Sequence, residues 1–472
     1  MIFEKSLLHR GALGAVATAM ASLTAAPPAH AHYGIPHAFS IHVQPGSGQR
    51  VLLRSDIWGL MYSSDGGQTW QWSCAEAFGG NSSQAEHVPM VVTTSGRVLA
   101  ALTYKGLRLS DDMCTWRSAA GLDGQYVMDI SATSTSLLAV TSNNAGDAGF
   151  RGAVYASDDN GESWSVASAE LPNDFLASSV AMAPSDSKRL YVAGTKVEAD
   201  KKLERSDDGG ATWVRSDVPI DPNKLDATLR IVLVHPTRPD VVLAWVDQPE
   251  GLGQNSPDDI VATSDGGAHW KTIYSSTGDL PGLALSPDGT TLVIAGPSDG
   301  IQSAALDDAL AQGQGAFKQV FTGQVWGLHW AADGLYAGNN NFTAKDPVTH
   351  VTPPAYMYGV SHDNGHTFTQ IMSMCQITYP SCATGTTMDQ ACSDLWDNKE
   401  QNLGFGLDFV HNADRCGGGA DAGTGGTNSK SDKSSGCSYA APGSGMGHAA
   451  VATLALLGLG VALRRRGGTA KR

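Results

Sequence analysis

Short apolar runs separated by turn residues recur along most of the chain. The first group reads FSIHVQP, QRVLLRS, GLMYSS and TWQWS, with Gly, Ser, Asp and Pro at the breaks. Runs of this length, rich in β-branched and aliphatic residues, predict β-strands, and the breaks predict tight turns. Comparable first runs follow at VPMVVTT, VMDISAT, SSVAMAPSD, RIVLVHPTRPD, LALSPDG and GLHWAADG. The pattern predicts an all-β fold of seven four-stranded units between residues 37 and 374.

An octapeptide recurs in most of these units, just before the fourth strand. It begins with Ser or Thr, has Asp third and Gly fifth, and ends in an aromatic residue. The sixth unit has GIQSAALDDALAQGQGAF in its place, which we interpret as a decayed hairpin. The full copies are SSDGGQTW at 63–70, SDDNGESW at 157–164, SDDGGATW at 206–213, TSDGGAHW at 263–270 and SHDNGHTF at 361–368, and SDDMCTW at 110–116 is a shortened copy.

The residue types of the octapeptide predict a tight hairpin turn. An Asp two residues after a Ser can accept hydrogen bonds from nearby backbone N–H groups, and Gly supplies positive φ. The closing aromatic side chain can bury about 150–250 Å² against a neighbouring sheet. We therefore interpret these residues as structural: Asp65, Trp70, Asp112, Trp116, Asp159, Trp164, Asp208, Trp213, Asp265, Trp270, Asp363 and Phe368.

The octapeptide resembles the Asp-box, or BNR, repeat of sialidases, sortilin-type receptors and xyloglucanases. This resemblance implies a β-propeller in which each repeat belongs to one blade. Steps of roughly forty to sixty residues between boxes agree with one four-stranded blade per step. We expect a single propeller of seven blades, with six or eight as alternatives, and leave open whether the ring closes by strand exchange.

The resemblance also implies where a ligand binds: on the loops between second and third strands and between blades, away from the boxes. The longest insertions fall in those loops, as SNNAGDAGFRG, VDQPEGLGQNSPDD and NNNFTAKDPVTHVTPP. Aromatic rings beside polar groups on this rim can stack on sugars or hold a peptide, although they can equally fill the core. The candidate ligand-binding residues are Arg54, Trp58, Tyr104, Trp326 and His329.

Catalysis is the rival interpretation, as a glycoside hydrolase. A sialidase resemblance would require an Arg-Ile-Pro signature before the first box, where this chain has GQRVLLRSDIWG. A xyloglucanase-like enzyme places two carboxylates across a cleft between two propellers, and this chain has length for one. The candidate catalytic carboxylates are Asp56 and Asp129. We expect a binding or display scaffold for a protein or glycan, with no cofactor and no metal.

The N-terminal residues 1–31 are typical of a signal peptide. Lys5 and Arg10 precede the apolar run GALGAVATAMASLTAA, and Ala29-His30-Ala31 is a small-x-small cleavage pattern. Export follows from this prediction, with the mature chain beginning at His32.

The C-terminal region predicts an anchor. Residues 417–440 form a Gly/Ser/Thr-rich stretch typical of a flexible tether, and 441–472 contain a short apolar span followed by three arginines. The order of tether, Cys437, apolar span and arginines resembles the myxobacterial C-terminal sorting tail (MYXO-CTERM). That resemblance implies anchoring or processing at Cys437 and a location on the cell surface or outer envelope.

Cysteines and charge complete the predicted organisation. Export favours disulfides over metal thiolates. The crowding of four cysteines in 375–416 predicts a small stapled module, which would leave Cys74 and Cys114 for each other, although sequence alone does not fix the pairing. A net charge of −15 disfavours binding to nucleic acid and to anionic lipid. We expect a monomeric propeller that meets the membrane only through its C-terminal tail. The candidate disulfide cysteines are Cys74, Cys114, Cys375, Cys382, Cys392 and Cys416.

Overall fold

The structure is a computed structural model, and it describes most of the residues between 37 and 397. The predicted leader, tether, Cys437 and sorting tail lie outside the described residues. Cys375 and Cys416 lie outside them too. The gaps within the described part are 56–58, 82–87, 134–135, 197–199, 222–223, 225, 249–256, 340–356 and 374–375.

Seven antiparallel sheets form the blades of a β-propeller, which confirms the predicted fold class. Each blade takes four strands that are consecutive along the chain, apart from a two-stranded insertion (β11 and β12) in the third blade. The strands of the first three blades are β1 to β4 (Ala38–Val43, Val51–Ser55, Gly59–Ser63, Trp70–Ser73), β5 to β8 (Met90–Val92, Val98–Leu102, Gly106–Ser110, Arg117–Ser118), and β9 to β14 (Val127–Ala132, Leu137–Thr141, Asn143–Asn144, Phe150–Arg151, Val154–Ser157, Ser165–Val166).

The remaining four blades follow the same order, with the first strand innermost. Their strands are β15 to β18 (Phe175–Ala183, Asp186–Lys196, Lys201–Ser206, Val214–Asp217), β19 to β22 (Thr228–Val234, Val242–Asp247, Asp259–Thr263, Lys271–Ser275), β23 to β26 (Gly282–Leu285, Thr291–Gly296, Gly300–Ala305, Lys318–Phe321), and β27 to β30 (Gly327–Ala331, Gly334–Gly338, Tyr358–Ser361, Thr369–Met372).

This strand order gives the propeller two different ends. Because neighbouring strands are antiparallel, the turns after first and third strands lie at one end, which we call the box face. The turns after second strands and the links between blades lie at the other end, which we call the loop face. The Asp boxes and the long insertions are therefore at opposite ends.

The ring closes without strand exchange, because the first and seventh blades each supply their own four strands. At the closure, the backbone N–H of Ala38 donates to the carbonyl of Asn339 over 2.9 Å. The inner strands β1 and β27 also lie side by side. Closure therefore depends on contacts between the first and seventh blades and on the C-terminal segment, which returns to the first blade.

The sixth blade replaces the box hairpin with helical turns. A short helix, α1 (Leu306–Gln312), continues into a 3-10 turn at Gly313–Ala316 before the fourth strand. Leu306 and Ala309 are buried against the fifth and sixth blades. The segment that sequence reading interpreted as a decayed hairpin is therefore helical.

The C-terminal segment extends the first blade and is joined to the ring by two disulfides. Strand β31 (Ile377–Thr378) pairs in parallel with β4, and helix α2 (Thr387–Asp397) follows. Cys392 bonds to Cys74, and Cys382 bonds to Cys114. The predicted pairing of Cys74 with Cys114 is therefore wrong, because each of them bonds instead to a cysteine of the C-terminal segment.

Candidate functional site

The box aspartates are fully engaged in their own turns. In the first blade, Asp65 Oδ1 accepts from the Ser63 hydroxyl (2.7 Å) and from the backbone N–H groups of Gln68 and Thr69 (3.0 and 2.9 Å). The Thr69 hydroxyl donates to Oδ2 over 2.6 Å. These bonds use both carboxylate oxygens to close the hairpin.

The same bonds recur in later boxes and keep the carboxylates ionised. The Ser163 hydroxyl and backbone N–H lower the pKa of Asp159 to about 2. The corresponding groups of Thr212 lower the pKa of Asp208 to about 2. A carboxylate held this far below its ordinary pKa does not carry protons near neutral pH. The geometry therefore agrees with a structural role.

The closing aromatic residues differ in burial. Trp70 and Trp164 are only 1% and 5% exposed, and their indole N–H groups donate to Gly67 and Gly161 carbonyls over 3.0 and 3.1 Å. Trp213 and Trp270 are only half-buried. The boxes thus repeat their hydrogen bonds more faithfully than their packing.

Charged side chains link neighbouring blades across the box face. Arg97 pairs with Asp111 of its own blade at 2.6 Å and with Glu162 of the third blade at 3.0 Å. Arg117 also pairs with both acids. Sequence reading missed this network, although an acid beside the box Asp and an Arg in the preceding turn are visible in the chain.

Three of the predicted ligand-binding residues meet on the loop face, where the seventh blade joins the first. His37 and Trp326 have ring centroids 3.8 Å apart. The Arg54 guanidinium lies 5.6 Å from the Phe39 ring centroid, and this ring is 6.5 Å from Trp326. Together with two histidines of β1 and β27, these residues form what we call the seam cluster: His37, Phe39, Arg54, Trp326, His42 and His329.

The two inner histidines of the seam cluster are neutral at ordinary pH. Burial, with smaller contributions from the nearby Arg54 and His329, lowers the pKa of His42 to about 4. Burial also lowers the pKa of His329. A neutral imidazole can donate and accept one hydrogen bond each. The cluster therefore offers aromatic rings and neutral polar groups.

Tyr104, the fourth candidate, lies on the same face but apart from the seam cluster. Its side chain is 74% exposed, and its ring meets Tyr126 edge-on with centroids 5.0 Å apart. We call this pair the tyrosine platform. The Asn143 amide nitrogen donates to the Gln125 side-chain oxygen over 2.7 Å, and its oxygen accepts from the Tyr126 N–H over 2.9 Å.

Asp129 lies on the innermost strand of the third blade, and its carboxylate is committed to backbone groups. Oδ1 accepts from the Ile130 N–H over 2.9 Å, and Oδ2 accepts from the Val180 N–H of the fourth blade over 3.0 Å. Burial raises its pKa to about 6, opposed by these bonds and by Arg230. Asp129 also lines a cavity of about 440 Å³ between the inner strands of the third, fourth and fifth blades.

Two further candidates, Asp56 and Trp58, lie outside the described residues. Within the described part, no group of three or more His, Cys, Asp or Glu side chains is arranged to hold a metal ion. The same residues contain no helix that is long and apolar enough to cross a membrane.

Family models match two parts of the chain. The model described as "Sortilin, neurotensin receptor 3" (Sortilin-Vps10) matches residues 152–281, and the BNR/Asp-box repeat model matches residues 61–71. No curated protein matches the chain in sequence. Together with the seven blades, the family matches support a β-propeller built on Asp-box repeats.

Solved structures with similar folds are distant in sequence. An ancestral GH74 enzyme is 14% identical, with a TM-score of 0.48 over 72% of this chain and 46% of that chain. The GH74 xyloglucanase from Xanthomonas campestris is 14% identical, with a TM-score of 0.29 over 70% and 63%. Hydrazine synthase from Kuenenia stuttgartiensis is 12% identical, with a TM-score of 0.46 over 69% and 97%. This chain spans about half the length of the ancestral GH74 enzyme.

Proposed function

We propose that the propeller is an exported, surface-anchored scaffold that binds a neutral glycan on its loop face. The observation that carries this proposal is the tyrosine platform, where Tyr104 is 74% exposed yet held edge-on by Tyr126. A large, exposed and supported ring is the element that recognition by stacking needs.

Polar groups beside the platform suit sugar hydroxyls. Gln125 precedes Tyr126 in the chain, and Asn143 is hydrogen-bonded to both residues. Their side-chain amides can both donate and accept hydrogen bonds. The seam cluster adds Trp326 and neutral imidazoles on the same face. The net charge of −15 repels polyanions. A neutral glycan therefore fits this face better than a charged one.

The geometry of Asp129 favours binding over hydrolysis. A pKa of about 6 suits a catalytic acid. However, each carboxylate oxygen accepts a backbone N–H, and the Val180 bond joins two blades. Asp129 is therefore explained as a link between the inner strands of the third and fourth blades.

The first experiment measures retardation of the purified chain in gels containing xyloglucan, arabinoxylan, cellulose ethers or glycol chitin. We expect at least one to retard the protein, and Tyr104→Ala to weaken binding at least about tenfold. Val214→Ala is the control, because Val214 is 56% exposed on the outer strand of the fourth blade. Failure of all the polymers, or equal binding by both variants, would overturn the proposal.

Reducing ends released from the same polymers test the rival hydrolase. We expect no release, and we expect Asp129→Asn to bind glycans as the unchanged protein does. Turnover that disappears in Asp129→Asn would replace the binding role with a catalytic one.

The anchor is tested separately in cells. If the tail holds the protein at the surface through Cys437, Cys437→Ser should release it into the medium. Cys416→Ser is a control of the same residue type outside the tail. Surface retention of the Cys437 variant would contradict the anchoring role without affecting the glycan proposal.

A further inference from the structure

A second cavity, of about 280 Å³, lies on the outer rim between the second blade and the C-terminal segment. We call it the rim cavity. One wall is the 3-10 turn Ala75–Phe78, the second is the outer part of the second blade, and the third is helix α2. Its lining includes Glu76, Phe78, Arg108, Trp116 and Ala391.

The two disulfides fix the walls of the rim cavity. Cys74 immediately precedes the 3-10 turn and bonds to Cys392 of α2. Cys114, in the shortened box, bonds to Cys382 ahead of α2. The Thr387 hydroxyl donates to the Cys114 carbonyl over 3.1 Å and accepts from the Trp116 N–H over 2.8 Å. The cavity therefore has covalently held walls from three parts of the chain.

The shortened box changes the chemistry of its tryptophan. In the first and third blades, the indole N–H donates to a glycine carbonyl of the same turn. The second blade has SDDMCTW, which lacks that glycine. Trp116 is only 4% exposed, and its indole nitrogen has no hydrogen-bond partner among the described residues. Trp116 and Trp270 therefore both have a buried indole N–H without a partner among the described residues, and that of Trp116 lies at the wall of a cavity.

Further groups in the rim cavity favour an uncharged ligand rich in hydroxyls. Arg108 Nε is a second buried donor that lacks a partner among the described residues. The Phe78 and Trp116 rings lie 5.5 Å apart and supply an aromatic wall. Glu76 also lines the cavity, and its negative charge offsets the positive charge of Arg108, so the lining favours neither an anion nor a cation. Buried donors without partners are costly unless a water or a ligand supplies an acceptor.

We propose that the rim cavity binds one neutral sugar unit. Trp116 and Arg108 would donate to hydroxyl oxygens, while Phe78 would contact the C–H face of the ring. The volume is just below the range of about 300–1,000 Å³ typical of drug-sized ligand pockets, which suits a single ring better than a chain. The lining of this site includes neither the tyrosine platform nor the seam cluster, so the inference does not depend on the glycan proposal above.

The test is saturation-transfer difference NMR on the oxidised, full-length protein with glucose, galactose, xylose and N-acetylglucosamine. We expect one of these sugars to bind, and Trp116→Phe, which keeps a ring but removes the N–H, to weaken it at least about tenfold. Trp270→Phe is the matched control, because that indole nitrogen also lacks a partner among the described residues but belongs to the fifth blade.

A second variant keeps the proposal testable if Trp116→Phe folds poorly. Ala391→Leu adds bulk at the α2 wall and should abolish binding, whereas Val214→Ala on the outer strand of the fourth blade should leave it unchanged. The proposal is overturned if none of the sugars binds, or if Trp116→Phe and Ala391→Leu both bind as Trp270→Phe does. Binding of glycine or alanine in place of sugars would overturn the ligand class.

Discussion

The box face and the loop face of the propeller are built in different ways. On the box face, successive turns reuse one set of bonds: the Ser hydroxyl and two or more later groups on a single carboxylate. On the loop face, the hydrogen bonds that hold the loops differ from blade to blade. Asp258 accepts from the Gln248 and Leu280 N–H groups in the fifth blade, while Asn143 holds Tyr126 beside the third. The repeated hydrogen bonds therefore lie on the face that stabilises the fold.

The two faces also use their exposed groups differently. Box-face charges pair within and between blades, as Arg97 does with Asp111 and Glu162. Loop-face aromatic groups include Tyr104, which is largely exposed, and Trp326, which is half-buried. Ion pairs therefore hold the charged side chains of the box face in place. The loop face instead has aromatic rings that are accessible to a ligand. Stability should respond to changes on the first face and binding to changes on the second.

The largest expected effect comes from a buried box tryptophan. Trp164→Ala should lower the free energy of unfolding by about 3–5 kcal/mol, because the ring is 5% exposed and its removal leaves a cavity. Trp213→Ala should cost about 1–2 kcal/mol, because that ring is only half-buried. Denaturant titration measures both. Equal losses would show that burial does not distinguish the boxes.

Loss of a disulfide should come next. Cys392→Ser opens the link to Cys74, which closes a loop of 318 residues, and should cost about 2–5 kcal/mol. The chain offers Cys437→Ser as a control of the same type outside the described residues. If Cys392→Ser unfolds at the same denaturant concentration as the control, the C-terminal segment does not stabilise the ring.

The repeat made the box face predictable from sequence. A Ser, an Asp two residues later and a Gly at the fifth position together specify a tight turn. The hairpins and the number of blades could therefore be predicted from these residues. The sixth blade was misread, although Leu306, Ala309 and Leu310 have helical spacing that could have revealed α1. Local patterns therefore predict the blades, including some of their exceptions.

The disulfides and the candidate sites depend on contacts between distant parts of the chain. Cys74 and Cys392 are 318 residues apart, and nothing local indicates that β31 adds to β4 and brings α2 to the first blade. Arg54 and Trp326 were both predicted as candidates. Their common location required the first and seventh blades to meet, which no local pattern specifies.

A fall in pH should change the contributions of two carboxylates to the free energy of unfolding in opposite directions. Asp159 has a folded pKa of about 2 against an ordinary 3.8, so its contribution is present above about pH 4 and is lost as pH falls towards 2. Asp129 has a folded pKa of about 6, so its protonated form favours folding, and stability is lost as pH rises from about 4 through 6.

Free energies of unfolding measured from pH 2 to 7 separate these two contributions. Asp159→Asn should flatten the acid limb below pH 4, whereas Asp129→Asn should flatten the decline between pH 4 and 6. A steeper decline in Asp129→Asn would mean that its carboxylate is stabilised by partners other than the two backbone N–H groups. Effects of the two variants in the same pH window would contradict the contrast between box and inner-strand carboxylates.

The smallest expected effect on stability belongs to the loop face. Tyr104→Ala removes a side chain that is 74% exposed and touches Tyr126 only by its edge, so unfolding should shift by no more than about 0.5 kcal/mol. The same variant should lose glycan binding, while Trp213→Ala should show the reverse pattern. A folding defect would lower both stability and binding. Opposite results for Tyr104→Ala and Trp213→Ala would therefore show that Tyr104 contributes to binding and Trp213 to stability. A stability loss for Tyr104→Ala as large as that for Trp164→Ala would place the tyrosine platform among the structural elements.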